Sequence, residues 1–558
     1  MDQFTLDIIQ NGLEAISQEM FATMKRTSMS PIIYESLDYA VGITDEKGDL
    51  LAQGNGVTAF LACLDSVVAS TLEKFSLQDF KEGDVVICNT PYAGGGTHLS
   101  DVSVVMPVFH EESIVAFTVN KAHWTELGGS FPGSVSTIAV EIYQEGLHFP
   151  FIKIKEGDKL NQAVIDIIKA NVRLPDSTLG DLYAALASVE RGARRVLELV
   201  SKYGASAFST AKDYLQKYGE KMTLTALQAI PNGTYTGKSV LENDGFGNGP
   251  FPIKMKIMVS HDLFEVDLRG SHSQIRGAIN LSYTGLVTGV RSVFKAITTP
   301  HIPVNGGAFK PLRVVVDKKS IVSAEDPSAF SIYYETLITC MDLMWKIMAP
   351  LMPEKLPSGH FRSVCATFIS GVHPETGVFW IQAEPLAGGW GAGKDFDGNR
   401  GQLSCGSGES CNIPIEIREM RYGLMVDQYA FHNEGGGYGE YQGGNGQYLD
   451  FRITSEKAFL TAAYLGTVVP TWGINEGKDG SYNYVQVFRK NGEIEKYSMV
   501  TNIELNKDDV VRCITATGGG YGDPSKRPLE KVQMDVANGY ITKEQAFEYY
   551  NICFTPQN

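Results

Sequence analysis

Apolar residues at positions 4, 6, 8, 9, 13, 16, 20, 21 and 24 fall along one stripe of a 3.6-residue repeat. That spacing predicts an amphipathic helix over 4–24. Residues 32–51 read as a hairpin turning at Asp45-Glu46-Lys47-Gly48. Two β-branched runs, 84–89 and 102–109, predict strands separated by a loop rich in Gly and Pro. A third strand at 114–119 leads into a second polar loop over 121–133. From 158 to 229 the pattern is helical, notably over 181–203 and 209–229, and alternation returns across 234–268. A helix is expected at 285–297, a turn-like stretch at 302–312, and further helices at 331–350 and 527–550. The stretch 365–515 is strand and turn and carries much of the glycine. Strands mixed with segregated helical blocks predict an α+β fold. Four regions are expected: an N-terminal α/β region (1–157), a helical block (158–230), a mixed α/β region (231–330) and a strand-rich region ending in helices (331–558).

Composition narrows the function. With 43% hydrophobic residues in 558, the chain can bury one or more large cores. Its 64 acidic against 48 basic residues give a net charge of −16, which repels nucleic acid and anionic membrane surfaces. The N-terminus carries acids where a signal peptide has its basic and apolar regions, and no apolar run reaches the ~18 residues of a membrane span. A cytoplasmic location is expected. The eight cysteines form no Cys-x-x-Cys pair, so they read as reduced thiols.

Ligand-type residues concentrate in the loop Gly94-Gly95-Gly96-Thr97-His98-Leu99-Ser100-Asp101. His98 and Asp101 stand three apart, and His123 lies in the next polar loop. Two imidazoles and a carboxylate can bind one divalent ion and leave positions open for water or substrate, as a catalytic site requires. The same His-x-x-Asp could equally be a hydrogen-bonded turn. Glu35 and Asp38 in the preceding hairpin are further oxygen donors, while Glu126 reads as a solvated loop acid rather than a general base. His360 with Arg362 could meet a substrate carboxylate or phosphate. The stretch 388–395 imitates a phosphate loop but has Asp395 where Ser or Thr would bind magnesium, and no helix follows. A glycine-rich turn is the better reading. The glycine clusters at 435–446 and 518–522 are either lids or tight turns.

Several motifs in order resemble the hydantoinase B/oxoprolinase family: SPIIYESLDYAVGI at 30–43, NTPYAGGGTHLSDVSVVMPVF at 89–109, then NKAHWTELGGSFPGS, NVRLPDSTLGDL, IPVNGGAFKPL and GGGYGDPSKRPLEKVQMDVANGYIT. The resemblance runs nearly end to end. It implies a metal site on Asp38, His98, Asp101 and His123, with His98, Asp101 and His123 catalytic, and zinc, manganese or iron as the metal. It also implies a hetero-oligomer, in which a hydantoinase A-type partner binds ATP and Mg and activates a small cyclic amide by phosphorylation. Water activated on the metal would then open the ring. Two alternatives follow from the same resemblance: a subunit of an ATP-dependent ketone carboxylase, or a scaffold subunit without chemistry. Trp124 departs from the pattern, because many members have a second histidine there.

Overall fold

In the computed structural model, which describes residues 2–554, the first hairpin pairs β1 (Tyr39–Asp45) with β2 (Leu50–Gly56). The Asp45 carboxylate closes the turn by accepting the amides of Lys47 and Asp49, each at 2.9 Å. Residues ahead of it form a single helical turn, Pro31–Tyr34, so the hairpin starts later than the alternation suggests. With β3 (Val85–Cys88), β4 (Asp101–His110), β5 (Ser113–His123), β6 (Ile152–Glu156) and β7 (Lys159–Leu160) it builds a seven-stranded sheet of order β2-β1-β5-β4-β3-β6-β7. Every pairing in it is antiparallel.

The interior strand β5 overruns its predicted end. Lys121 and His123 read as loop because they are polar, yet Lys121 pairs with Ala40 on one side and Ser103 on the other, and His123 stands opposite Asp101. A strand with neighbours on both edges satisfies its backbone, so polar side chains can be carried into the interior where they find partners. Asn120 Nδ2 donates to Ser188 Oγ at 3.2 Å, and Thr118 Oγ1 donates to the Val189 carbonyl at 2.9 Å. These even-numbered residues therefore face the helix Pro175–Tyr203, which packs with the helix Gln3–Thr27. Gly192 allows the close approach: a Cβ there would lie 2.4 Å from Met20 Sδ and 2.9 Å from Thr118 Cγ2. By two-residue alternation Lys121 and His123 face the opposite side, where the helix Leu64–Lys74 packs.

This sheet and its helices belong to a first compact unit that takes the chain up to Thr236, then Ile253–Leu337 and Gly406–Ile413. The second unit takes Gly237–Pro252, Ile338–Cys405 and the described chain from Pro414 onward. It holds two antiparallel sheets. In one, Ala366–Val372 lies between Phe379–Glu384 and Lys457–Ala463, with Met499–Asn506 outside the latter. In the other, Gln447–Ile453 and Val510–Ile514 are central. Phe451, Tyr464, Val485 and Val511 are fully buried in its main core, while Val532, Ile541 and Ala546 form a smaller core under the C-terminal helices Leu529–Ala537 and Lys543–Tyr550. Predominantly antiparallel sheets, with one parallel pair between Phe264–Asp267 and Leu312–Val315, and segregated helices make the fold α+β, as the sequence pattern predicts. Among the described residues, no helix is long and apolar enough to cross a membrane.

Candidate metal centre

The 94–101 loop is held from beneath by Asn89. Its Nδ2 donates to the carbonyls of Leu99 and Leu147 at 2.8 and 2.9 Å, and its Oδ1 accepts the Phe149 amide at 2.7 Å. The amides of Gly95 and Gly96 donate to the Thr90 carbonyl at 3.0 and 3.1 Å. A Cβ on Gly96 would lie 2.3 Å from the Asn89 carbonyl oxygen, so a side chain there would push the loop off its support. The loop thus delivers His98 just before Asp101, the first residue of β4. His123, the last residue of β5, is Asp101's register partner.

Three donor atoms converge. His98 Nε2 lies 2.9 Å from Asp101 Oδ1, and His123 Nδ1 lies 3.2 Å from both. All three residues are buried. His98 Nδ1 is 3.1 Å from the Ser331 carbonyl, which can only accept, so Nδ1 carries the proton. In a neutral ring Nε2 is then a lone pair, and it faces another lone pair on Asp101. Burial holds His98 below its ordinary pKa despite Asp101, which favours that neutral ring. Two acceptors in contact need a positive centre between them, either the proton of His123 Nδ1, 3.2 Å from both, or a cation in its place. Donors about 2.0–2.2 Å from one ion stand roughly 3.0–3.5 Å apart at tetrahedral or octahedral angles, close to the separations found. The residues present fit a divalent ion.

Electrostatics agree with a ligand set. Burial pushes Asp101 upward, but the two imidazoles outweigh it and hold the carboxyl well below the usual range. Burial pulls His123 down, and the hydrogen bond to Asp101 with the charges of Asp38 and Asp101 more than restores it. Asp101 Oδ2 is turned away from the focus and accepts the hydroxyls of Thr97 and, at 3.0 Å, Tyr333. That leaves Oδ1 facing the two imidazoles. Behind Ser331, the buried Glu145 accepts the amides of Phe330 and Ser331, both at 2.7 Å, and so fixes the carbonyl that sets the His98 tautomer.

Other sequence candidates are placed differently. Asp38 is partly buried and is not among the three residues whose ligand atoms lie within 4.8 Å of one another. It is nonetheless beside them: burial first, then the Asp101 charge, pushes its carboxyl up to about 6, and its carbonyl accepts the His123 amide at 3.0 Å. Glu35 is partly buried and also outside the three. Glu126 is no solvated acid. It is fully buried, accepts the amides of Gly128 and Gly133 at 2.6 and 2.9 Å, and pairs with Arg173 at 2.9 Å, so it holds the loop together. Trp124 is fully buried against Phe149 and its indole N–H has no protein acceptor among the described residues. In the second unit, the phosphate-loop lookalike has its amides committed elsewhere: Gly389 donates to the Ala516 carbonyl and Ala392 to that of Gly519, both at 2.9 Å, while Lys394 is exposed and pairs with Glu354. The glycine clusters are likewise locked by backbone bonds, such as Gly518 to Gly444 and Gly443 to Gly437.

Sequence reasoning missed Tyr333, the Ser331 carbonyl and Glu145. Tyr333 is 232 positions from Asp101, and nothing in the local pattern of its helix Tyr333–Met348 distinguishes it.

Comparison with known proteins places this chain in a family. The profile of the family described as Hydantoinase B/oxoprolinase matches residues 2–524. An uncharacterized protein of Methanocaldococcus jannaschii is 30% identical over 99% of this chain and 96% of its own. The caprolactamase subunit beta of Pseudomonas jessenii is 28% identical over 99% of this chain and 96% of its own. The solved structure of the ATP-dependent caprolactamase from Pseudomonas jessenii superposes with a TM-score of 0.93 at 25% identity, covering 100% of this chain and 97% of that one. A nucleotide-free acetone carboxylase chain gives a TM-score of 0.92 at 17% identity, covering 100% of this chain and 80% of its own, and shares the fold.

Proposed function

Since the chain belongs to the hydantoinase B/oxoprolinase family, we propose that it is the metal-bearing subunit of an ATP-dependent cyclic amidohydrolase that works with a separate ATP-binding subunit. The observation that carries this reading is the convergence of His98 Nε2, Asp101 Oδ1 and His123 Nδ1 on one buried focus, with His98's other nitrogen committed to a carbonyl. Asp38 is the fourth donor in this reading, moving in from its neighbouring position. A divalent ion bound there would supply Lewis-acid polarisation and a water of lowered pKa.

The chain's own residues do the rest. Asp101 stays ionised between two imidazoles and contributes the negative charge. Ser331 and Glu145 keep the His98 lone pair aimed inward. His123, whose pKa is raised, is placed to take up a proton at Nδ1 whenever that atom is not ligating. The three donor residues are themselves buried, which limits access of bulk water to the focus. The expected substrate is a small cyclic amide activated on the partner subunit; the name of the Pseudomonas jessenii relative supports a lactam-type ring.

The test is to reconstitute the chain with its ATP-binding partner and measure ADP release with and without hydantoins, lactams and 5-oxoproline. Ring-dependent ADP release that a chelator abolishes is expected. Release that answers only to a ketone and bicarbonate would replace this reading with a carboxylase subunit. Turnover unaffected by His98→Ala would replace it with a scaffold subunit.

A further inference from the structure

The second unit contains a cavity of about 200 Å³ whose charge runs against that of the chain. Lys238, Arg362 and Lys346 line it against a single acid, Asp342, in a protein with 64 acids to 48 bases. The acid is already neutralised. Asp342 Oδ2 is 3.2 Å from Arg362 Nε, and its Oδ1 accepts the Trp472 indole N–H at 2.9 Å. The nearby His360 adds no charge, because burial lowers it to about 4. Two positive charges are therefore left over, on Lys238 and Lys346. Both lysines are exposed at the rim, and neither has an ion-pair partner among the described residues.

The floor is built rather than incidental. Arg362 is 5% exposed and sits at φ 59°, a left-handed conformation that is costly for a non-glycine residue and persists where the surroundings enforce it. They do so here. Its Nη1 donates to the Val469 carbonyl at 3.1 Å and its Nη2 to Ser239 Oγ at 3.2 Å. Among the described residues this leaves one N–H of Nη2 without a protein acceptor. Ser239, having accepted from arginine, keeps its own hydroxyl proton to donate. Asp342 and Lys346 are one helical turn apart on Tyr333–Met348 and so share a face, and Lys346 Nζ is further placed 5.8 Å from the Trp472 ring centroid.

We propose that Lys238, Ser239, Lys346 and Arg362 form a binding site for a phosphoryl dianion, either free phosphate or the phosphate of a small monoester. A surplus of two positive charges matches the −1.5 to −2 charge that a phosphate monoester carries near neutral pH. The volume is below the ~300–1,000 Å³ of pockets for drug-sized ligands, which sets a limit on the size of the ester. The site uses no residue of the metal centre and does not depend on the proposed function.

Calorimetric titration of inorganic phosphate into the full chain, at fixed ionic strength, tests it. Saturable binding is expected, weakened at least about tenfold in the Lys238→Ala/Lys346→Ala double variant, whose thermal midpoint should stay at the wild-type value because both side chains are exposed. Glycerol phosphate competing as well as phosphate assigns the site to an ester, and failure to compete assigns it to the free ion. Absence of saturable phosphate binding, binding unchanged in the double variant, or acetate binding as tightly as phosphate would each overturn the proposal.

Discussion

Tyr333→Phe is the sharpest probe of the candidate metal centre, because it removes one atom and no packing. The tyrosine is 3% exposed and its hydroxyl donates to Asp101 Oδ2 at 3.0 Å. Phenylalanine fills the same space, so no cavity opens, and the Thr97 hydroxyl still reaches Oδ2. What disappears is one hydrogen bond to a charged acceptor, worth ~1.5–3 kcal/mol when buried. Part of that loss falls on the ion-free protein as well. The remainder appears as weaker binding, since the phenol keeps Oδ2 turned away and Oδ1 aimed at the focus. Loss of such a supporting partner typically weakens metal affinity by ~10–100-fold. The assay is competition for zinc, and separately manganese, between the purified chain and a chromogenic chelator. Wild type should bind, Tyr333→Phe should bind about 10–100-fold more weakly, and His98→Ala should not compete. If Tyr333→Phe stays within about twofold of wild type while His98→Ala loses the ion, the ligands stand but the argument for carboxylate aiming is refuted.

Glu145→Gln tests the support behind His98 through pH. Burial pushes Glu145 from 4.5 up to about 8, despite the two amides it accepts. The stability associated with that raised pKa is complete below about pH 4.5 and is lost as pH rises through about 8, whereas glutamine does not titrate. Wild-type stability relative to Glu145→Gln should therefore fall by ~2–4 kcal/mol between about pH 5 and pH 9, read from urea midpoints. A gap that does not move with pH sinks the assignment. Gly192→Val should lower the thermal midpoint by an amount equivalent to ~1–3 kcal/mol, because its added carbons meet Met20 and Thr118 in a filled interior. Gly12→Ala offers the control. Its Cβ would lie 3.1 Å from the movable Leu199 Cδ1, and helix propensity should leave that variant unchanged or stabilised by up to ~1 kcal/mol. Equal behaviour of the two variants would remove the packing explanation.

How far the fold was legible follows from which signals are local. The stripe from residue 4 to 24 predicts the helix Gln3–Thr27 to within a turn, and the run at 285–297 predicts Tyr283–Thr298, because helical burial repeats within one element. The end of β5 failed on the same logic. Asn120, Lys121 and His123 are polar, and polarity at a strand end normally marks solvent. Here it marks a buried face, with Lys121 fully buried near Cys63 Sγ at 3.5 Å and the Phe60 ring at 5.3 Å. Only pairing with β1 and β4 shows this, and pairing is not written within the strand itself. Glu126 was misread for a similar reason: its partner Arg173 lies 47 positions away.

The metal centre divides along the same line. His98 and Asp101 are legible because three positions in a glycine-rich loop suffice to bring them together, and His123 is legible once neighbouring strands are assumed to end side by side. The atoms that decide whether this is a metal site or a hydrogen-bonded turn are not local. A turn would leave His98 free to donate from Nε2 to Asp101, and both groups would be satisfied without an ion. The Ser331 carbonyl removes that option by taking the proton on Nδ1 from a position 233 residues away. Tyr333 and Thr97 remove another by occupying Asp101 Oδ2. Each contact denies the triad a way to satisfy itself, so that only a proton on His123 Nδ1 or a cation can fill the focus. The candidate ligands are therefore named by the sequence motif, but their fitness to ligate is set by the segment 330–333, which the chain reaches only after completing the sheet that carries the site.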